Sequence, residues 1–202
     1  MNGIDSRNLR VIRPPNLGWL EKKLSDHEMH YLWECIDNRG KSHKKNLVGN
    51  IHESNVLVDE GEWFYDHTLL PLCHQYECQF QPMKTVKHGL VDFWVNYQKQ
   101  NEFNPIHNHD GVYSFVIWMK IPTKHDEQNK NLIASRANHG SISSFQICYT
   151  NTLGRMKAYD YEMNPEMEGT MLFFPSELKH VVYPFYNCDE DRNSISGNIV
   201  LN

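Results

Sequence analysis

The 202-residue sequence lacks the usual features of secreted, membrane-spanning and nucleic-acid-binding proteins. Its five cysteines are scattered and include no Cys-x-x-Cys pair, which argues against a disulfide framework or a cysteine zinc site. No window approaches about 18 consecutive apolar residues, and residues 1–15 lack the apolar run of a signal peptide. The net charge of −5 and the absence of a basic cluster disfavour nucleic acid as a partner. We expect a cytoplasmic protein with reduced cysteines and no membrane partner.

The length predicts one domain over residues 1–202, because two ordinary domains would need a longer chain. Residues 1–90 are predicted to form an N-terminal arm and helical support, in which residues 1–15 are a loose arm. Helical spacing of apolar residues is found in three segments: 19–20, 29–36 and 59–80.

From residue 91 the pattern changes to short runs rich in β-branched and aromatic residues, separated by turn residues. The runs predict eight strands, at residues 91–97, 105–109, 112–121, 143–149, 157–162, 170–174, 181–183 and 194–200. We therefore predict a mainly β fold with flanking helices, in which residues 91–202 form a double-sheet jelly roll.

Three of the 12 histidines are arranged as in a catalytic metal site. His107 and His109 lie two residues apart on a predicted strand, so their side chains should point to the same side. His180, from a later strand, could complete a set of three ligands that leaves one side of an iron or zinc ion open. The alternatives are a hydrogen-bonded structural pair at His107 and His109, and a surface imidazole at His180.

A set of motifs in a fixed order extends from residue 93 to the C-terminus. They are Trp94-Val95-Asn96, Asn104-Pro105-Ile106-His107-Asn108-His109, an aliphatic strand at 112–121, and the segments 168–175, 180–184 and 192–198. In order and spacing the chain resembles the iron(II)- and 2-oxoglutarate-dependent oxygenases, in particular small members from bacteria and their phages. The resemblance implies a cupin-like double-stranded β-helix with helices on one face, located in the host cytoplasm if a phage encodes it.

The second metal ligand departs from the commonest form of this superfamily, which uses two histidines and one carboxylate. His109 occupies the carboxylate position, and the nearest acid is Asp110. On a regular strand Asp110 would point away from His107, although a bulge at Asp110-Gly111 could redirect it. Three histidines are our first interpretation. Coordination by Asp110, with one histidine outside the coordination sphere, stays open.

Arg192 follows His180 by 12 positions, and members of the superfamily place a basic residue at about that distance. A guanidinium can hold the far carboxylate of 2-oxoglutarate by two parallel hydrogen bonds. Ser194 should lie on the same strand face and could donate a third. A salt bridge from Arg192 to an acid within 189–191 is the alternative. Asn96 is a further candidate for cofactor binding, and Trp94 and Trp118 for either the pocket wall or the core.

The resemblance implies iron(II) as cofactor and 2-oxoglutarate and dioxygen as co-substrates. The expected reaction is hydroxylation of a C–H bond, with release of succinate and carbon dioxide, on an unknown substrate such as a protein side chain or a metabolite. Two alternatives remain. A cupin-like three-histidine dioxygenase without 2-oxoglutarate would give Arg192 and Ser194 no purpose, and a non-catalytic jelly-roll binding module would not bind iron.

Overall fold

Two antiparallel β sheets pack against each other in the computed structural model, which describes residues 16–80, 87–134 and 137–201. The strands are β1 (Leu20–Lys23), β2 (Glu53–Val56), β3 (His88–Gln98), β4 (Asn104–His107), β5 (Tyr113–Lys120), β6 (Ser144–Thr150), β7 (Met156–Glu162), β8 (Thr170–Pro175), β9 (Lys179–Val182) and β10 (Arg192–Leu201). The helices are α1 (Asp26–Asp37), α2 (Leu70–Phe80) and α3 (His125–Gln128), with short helical turns at Lys44–Asn46, Glu60–Glu62, Tyr65–Leu69 and Pro165–Met167.

The larger sheet has six strands in the order β1-β8-β5-β10-β3-β2, and the smaller has four in the order β4-β9-β6-β7. Because side chains alternate along a strand, β5 contributes to both hydrophobic clusters. Phe115 and Ile117 pack with Leu32 of α1 and Tyr76 of α2 on the outer face of the larger sheet. Their neighbours on β5, such as Trp118, pack with residues of β6 between the two sheets. Helices α1 and α2 therefore cover the outer face of the larger sheet, and its inner face packs towards the smaller sheet.

Helix α1 is fixed by its N-terminus and by one buried carboxylate. Ser25 and Glu28 form a capping box, in which each side chain accepts a hydrogen bond from the backbone N–H of the other. Glu28 also accepts hydrogen bonds from Lys22 Nζ at 2.7 Å and from Thr68 Oγ1 at 2.7 Å. Burial alone would raise the pKa of Glu28, but the hydrogen bonds outweigh it and lower the pKa to about 2. Glu28 thereby ties α1 to β1 and to the turn before α2.

The N-terminal region differs from the helical prediction in two places. The helical spacing at residues 19–20 is wrong, because Leu20 begins β1, which pairs with β8. Strand β2 was not predicted, although it pairs with β3 through four residues. Both are short edge strands, too short for their periodicity to be distinguished in sequence. The predicted arm at residues 1–15 lies outside the described residues.

The predicted helix at residues 59–80 is divided into several helical segments. Asp59 caps it, since its carboxylate accepts hydrogen bonds from the backbone N–H groups of Phe64 and Tyr65 at 2.9 and 2.8 Å. Gly61 adopts a left-handed conformation, which separates the turn at Glu60–Glu62 from the helical residues that follow. A widened turn at Tyr65–Leu69 then precedes α2.

Within the described ranges, no helix has both the length and the apolar character needed to cross a lipid bilayer.

Candidate metal centre and cavity

The three predicted histidines converge where β4 meets β9. His107 and His180 lie directly opposite each other in the register of these strands, and their ring centroids are 4.2 Å apart. The His109 ring lies 5.0 Å from that of His107 and 5.1 Å from that of His180. One potential ligand atom from each histidine lies within 4.8 Å of the other two. Among the described residues, no other group of three histidine, cysteine or acidic residues is arranged in this way.

His109 reaches the cluster by a different route from the predicted one. Strand β4 ends at His107, so the alternation of side chains on one strand does not bring the two rings together. The chain instead turns: the His109 N–H donates to the Ser176 carbonyl at 2.9 Å, and Gly111 has a φ of +108°. A Cβ atom on Gly111 would lie 2.8 Å from the Ile199 carbonyl oxygen. A glycine is therefore required for the turn that positions His109.

Hydrogen bonds define which nitrogen of two histidines is free to bind a metal. His107 Nδ1 lies 2.7 Å from the Pro105 carbonyl, and His180 Nδ1 lies 3.0 Å from the Leu178 carbonyl. Because a carbonyl oxygen only accepts, both Nδ1 atoms carry the proton, which leaves the lone pair on Nε2. His107 Nε2 accepts a hydrogen bond from the Asn104 side chain at 3.2 Å. This arrangement of backbone carbonyls is typical of histidines that ligate metals through Nε2.

The surroundings favour the neutral form of all three imidazoles. Burial lowers the pKa of His107 and lowers that of His180 well below its usual value. For His109, burial and the neighbouring His107 together lower the pKa to about 4. Neutral imidazole is the form that binds a metal ion, so the site is ready for a cation at neutral pH.

Asp110, the alternative ligand, is exposed and lies outside the group of three histidines. It lines the same cavity, but His109 rather than Asp110 shares the space between the rings of His107 and His180. The geometry is therefore that of three nitrogen donors.

A cavity of about 380 Å³ adjoins the histidines between the two sheets. Its wall on the larger sheet is polar and comes from β3 and β10, through Asp92, Trp94, Asn96, Ser194, Ser196 and Asn198. Its apolar wall comes from Val116, Phe145, Phe174 and Val182. Of the two tryptophans considered from the sequence, Trp94 lines this cavity, and Trp118 packs in the core between the sheets.

Arg192 is buried beyond the polar wall, with 2% of its surface exposed. Its Nε and Nη2 donate to Gln98 Oε1 at 3.0 and 2.7 Å, and Nη2 also donates to the Tyr183 carbonyl at 2.8 Å. Within the described chain, Arg192 forms no ion pair and its Nη1 has no hydrogen-bond partner. Burial lowers the pKa of Arg192 to about 9. The guanidinium is therefore charged at neutral pH, and within the described chain its Nη1 is left without an acceptor.

Two of the three acids that precede Arg192 interact elsewhere, and among the described residues none of the three forms an ion pair with Arg192, which disfavours the salt-bridge alternative. Glu190 pairs with Lys120 at 2.8 Å, and Asp189 accepts a hydrogen bond from Gln100 at 2.8 Å. Both acids are on the surface side of the β10 start, whereas the Arg192 side chain is turned into the protein.

The other two predicted binding residues face each other across β3 and β10, where Ser194 pairs with Asn96. Both line the cavity, and within the described chain the buried Asn96 Oδ1 has no hydrogen-bond partner. Sequence reasoning missed Gln98, which fixes the guanidinium. The sequence could have indicated Gln98, because it lies two residues after Asn96 and hence on the same strand face.

A two-sheet antiparallel sandwich with three convergent histidines beside a cavity is the architecture of a metal-dependent jelly-roll protein. Comparison with protein families identifies which one. The family described as "Putative 2OG-Fe(II) oxygenase" matches residues 92–198, more than half of the chain. The chain therefore belongs to this family, and the resemblance seen in the sequence is confirmed. The comparison with curated proteins gave no match.

Solved structures share the fold at low sequence identity. An oxidoreductase of the 2OG-Fe(II) oxygenase family from Burkholderia pseudomallei is 12% identical, with a TM-score of 0.57 over 88% of this chain and 81% of that one. The viral collagen prolyl hydroxylase of Paramecium Bursaria Chlorella virus-1, solved with 2OG, is 14% identical, with a TM-score of 0.53 over 90% and 94%. HygX from Streptomyces hygroscopicus, solved with nickel, 2-oxoglutarate and hygromycin B, is 11% identical, with a TM-score of 0.57 over 91% and 83%. The predicted jelly-roll fold is confirmed.

Proposed function

We propose that the chain is an iron(II)- and 2-oxoglutarate-dependent dioxygenase that hydroxylates a C–H bond of its substrate. The observation that carries the proposal is the combination of two features near one cavity. One is a group of three neutral histidines with converging ligand atoms, and the other is a buried guanidinium with no carboxylate partner in the described chain. A metal centre alone would need only the first. An anionic co-substrate accounts for the second.

The three histidines fit an iron(II) ion. Because backbone carbonyls hold Nδ1 of His107 and of His180, the lone pair of each ring is on Nε2. His109 would supply the third nitrogen, and Asn104 would release His107 Nε2 when the metal binds. Imidazole is a ligand suited to iron, and three protein ligands leave positions for a co-substrate and dioxygen.

Arg192 and Ser194 fit the far carboxylate of 2-oxoglutarate. Gln98 holds the guanidinium through Nε and Nη2, so that Nη1 keeps a free N–H for an incoming oxygen. Ser194 lies on the same face of β10 and lines the cavity. An unpaired buried cation is costly, and a bound carboxylate would compensate for it.

When bound, iron(II) with 2-oxoglutarate supplies the oxidising chemistry that inserts one oxygen atom of dioxygen into a C–H bond, with release of succinate and carbon dioxide. The protein side chains position and enclose the reactants. Phe145 and Phe174 are buried against the His180 ring at 5.5 and 5.1 Å, and they exclude water from that side of the centre. Asn96 offers a buried acceptor, Oδ1, within the same cavity, and no group in the described ranges donates to it.

The test is an anaerobic titration of the metal-free protein with iron(II) and then 2-oxoglutarate. We expect a weak visible charge-transfer band on addition of 2-oxoglutarate, and succinate on admission of air. The matched variants are His180→Ala, which should bind neither iron nor 2-oxoglutarate, and His139→Ala, which removes an exposed histidine outside the cavity. Absence of iron binding by the wild type would refute the proposal and favour a non-catalytic binding module.

A second candidate is a three-histidine dioxygenase that does not use 2-oxoglutarate. The observation that favours it is the donor set itself, since Asp110 lies outside the group and leaves three imidazoles without a carboxylate. Tight iron binding without the charge-transfer band, and oxygen consumption independent of 2-oxoglutarate, would support this candidate. It leaves the unpaired charge of Arg192 without an explanation.

A further inference from the structure

The face of β3 and β10 that forms the polar wall of the cavity carries opposite charges at its two ends, with Arg192 just beyond the cavity lining. Four side chains of β10 lie on one face and pair with four of β3: Arg192 with Gln98, Ser194 with Asn96, Ser196 with Trp94, and Asn198 with Asp92. At about 3.3 Å per residue, the six-residue step from Arg192 to Asn198 spans about 20 Å. The guanidinium is thus at one end of this wall and the Asp92 carboxylate at the other.

Asp92 is held in place but not neutralised. Its Oδ2 accepts a hydrogen bond from Asn198 Nδ2 at 3.0 Å, and Asn198 Oδ1 accepts one from the buried Ser114 hydroxyl at 2.8 Å. Across the described ranges, Asp92 forms no ion pair, and no lysine or arginine lines the cavity. Burial lowers the pKa of the neighbouring His43, which therefore adds no positive charge. The Asp92 end of the cavity is accordingly negative.

An aromatic wall stands beside this carboxylate. Trp94 lies two residues from Asp92 on the same strand face, and its ring stacks on that of His43 with centroids 4.8 Å apart. Trp94 is 4% exposed and lines the cavity, and its Nε1 has no hydrogen-bond partner in the described chain. A buried indole N–H without a partner points to an acceptor atom on a ligand. A carboxylate next to an indole face is a favourable environment for an organic cation.

A second cavity, of about 440 Å³, extends the first at this end. It shares Asp92 and His43 with the cavity at the histidines and continues along Gly89, Leu90 and Val91 of β3. A substrate held at Asp92 therefore has space on the side away from the metal centre, whether it is a free metabolite or a side chain of a longer chain.

We propose that the primary substrate carries an alkylammonium or guanidinium group that binds between Asp92 and the Trp94 indole, while Arg192 takes the anionic co-substrate at the opposite end. This inference rests on the proposed function, because it treats the cavity as the place of oxidation. It narrows the substrate to cationic molecules, such as amine-bearing metabolites or lysine and arginine side chains.

The test compares cationic probes with neutral isosteres by isothermal titration calorimetry on the full chain. One pair is Nα-acetyl-lysine methylamide and Nα-acetyl-norleucine methylamide, and the other is pentylamine and pentanol. Titrations are run on the metal-free protein and, under argon, on the protein with iron(II) and 2-oxoglutarate. We expect the cationic member of at least one pair to bind about tenfold more tightly or better, as a charged hydrogen bond allows. Preference within the first pair indicates a peptide side chain, and preference within the second indicates a free amine.

Variants assign the preference to Asp92. Asp92→Asn should abolish the preference for the cation. Asp92→Glu keeps the negative charge even where its longer side chain disturbs the contact with Asn198, so it should retain the preference. Asp126→Asn removes an exposed carboxylate of α3 that does not line the cavity, and it should change nothing. Equal binding of cation and isostere by the wild type, including no measurable binding of either, overturns the inference, as does a preference that survives Asp92→Asn.

The titrations distinguish failure of the proposed oxygenase function from failure of the proposed cation site at Asp92. Cation preference in the metal-free protein without binding of iron or 2-oxoglutarate would remove the proposed oxygenase activity and leave the cation site. Binding of iron and 2-oxoglutarate without cation preference would do the opposite.

Discussion

Replacing Arg192 with methionine tests the anion site most directly. Methionine carries no charge, so 2-oxoglutarate would lose the charge-assisted hydrogen bonds that Arg192 Nη1 can donate. Bonds to charged groups contribute about 1.5–3 kcal/mol each, so we expect a loss of about 3 kcal/mol, or roughly 100-fold in Kd. The metal-free variant should fold, because removal of an unpaired buried charge offsets the lost contacts to Gln98 and Tyr183.

The assay is the thermal stability of the metal-loaded protein with and without 2-oxoglutarate. At a concentration of about 100 times its Kd, a ligand stabilises the wild type by about 2.7 kcal/mol. With a Kd that is 100-fold weaker, the same concentration stabilises the variant by only about 0.4 kcal/mol. Lys120→Met is the matched control, because it removes a surface cation that pairs with Glu190. Stabilisation of Arg192→Met equal to that of the wild type would refute the assignment of Arg192.

Three further changes test the metal centre and the fold. His109→Ala should weaken iron(II) binding by at least about 100-fold, whereas His109→Asp, which restores the common carboxylate ligand, should retain it in the same anaerobic titration. Glu28→Gln should destabilise the protein by about 3 kcal/mol at pH 7 in urea unfolding. Because the pKa of Glu28 falls from its ordinary value of 4.5 to about 2 on folding, this contribution is present above about pH 4.5 and is lost as the pH falls towards 2. Gly111→Ala should cost about 1–3 kcal/mol and weaken metal binding, while Gly154→Ala, where φ is also positive but the space is open, should leave metal binding unchanged.

Most strands of the two sheets could be predicted because they are short runs rich in β-branched and aromatic residues, separated by turn residues. Such a run at residues 112–121 predicted β5, and the run at residues 194–200 predicted most of β10. The edge strands β1 and β2 could not be predicted in this way, since each has only four residues. Their positions depend on partners distant in sequence, namely β8 and β3.

The cluster of histidines was predicted from partly incorrect local geometry. Alternation placed His107 and His109 on one strand, whereas His109 joins the cluster through a turn that needs Gly111 and the Ser176 carbonyl. The sequence shows that a glycine follows Asp110 but not that its φ is positive. The single-domain assignment, the cytoplasmic location, the bacterial or phage origin and the roles of the site residues stay predictions.

The pairing of β3 with β10 explains why two strands of one sheet hold charges that cost stability. A core built for stability alone would place an apolar residue at the buried Arg192, and it would give the half-buried Asp92 a cationic partner, because an unpaired charge away from water is unfavourable. Both residues instead belong to one face of paired strands, and each is fixed by an amide, from Gln98 and from Asn198 respectively. An amide orients a charged group without neutralising it. A sheet that orients a cation at one end of a cavity and an anion at the other is suited to binding two ligands of opposite charge, with the histidine cluster beside the cavity that receives them.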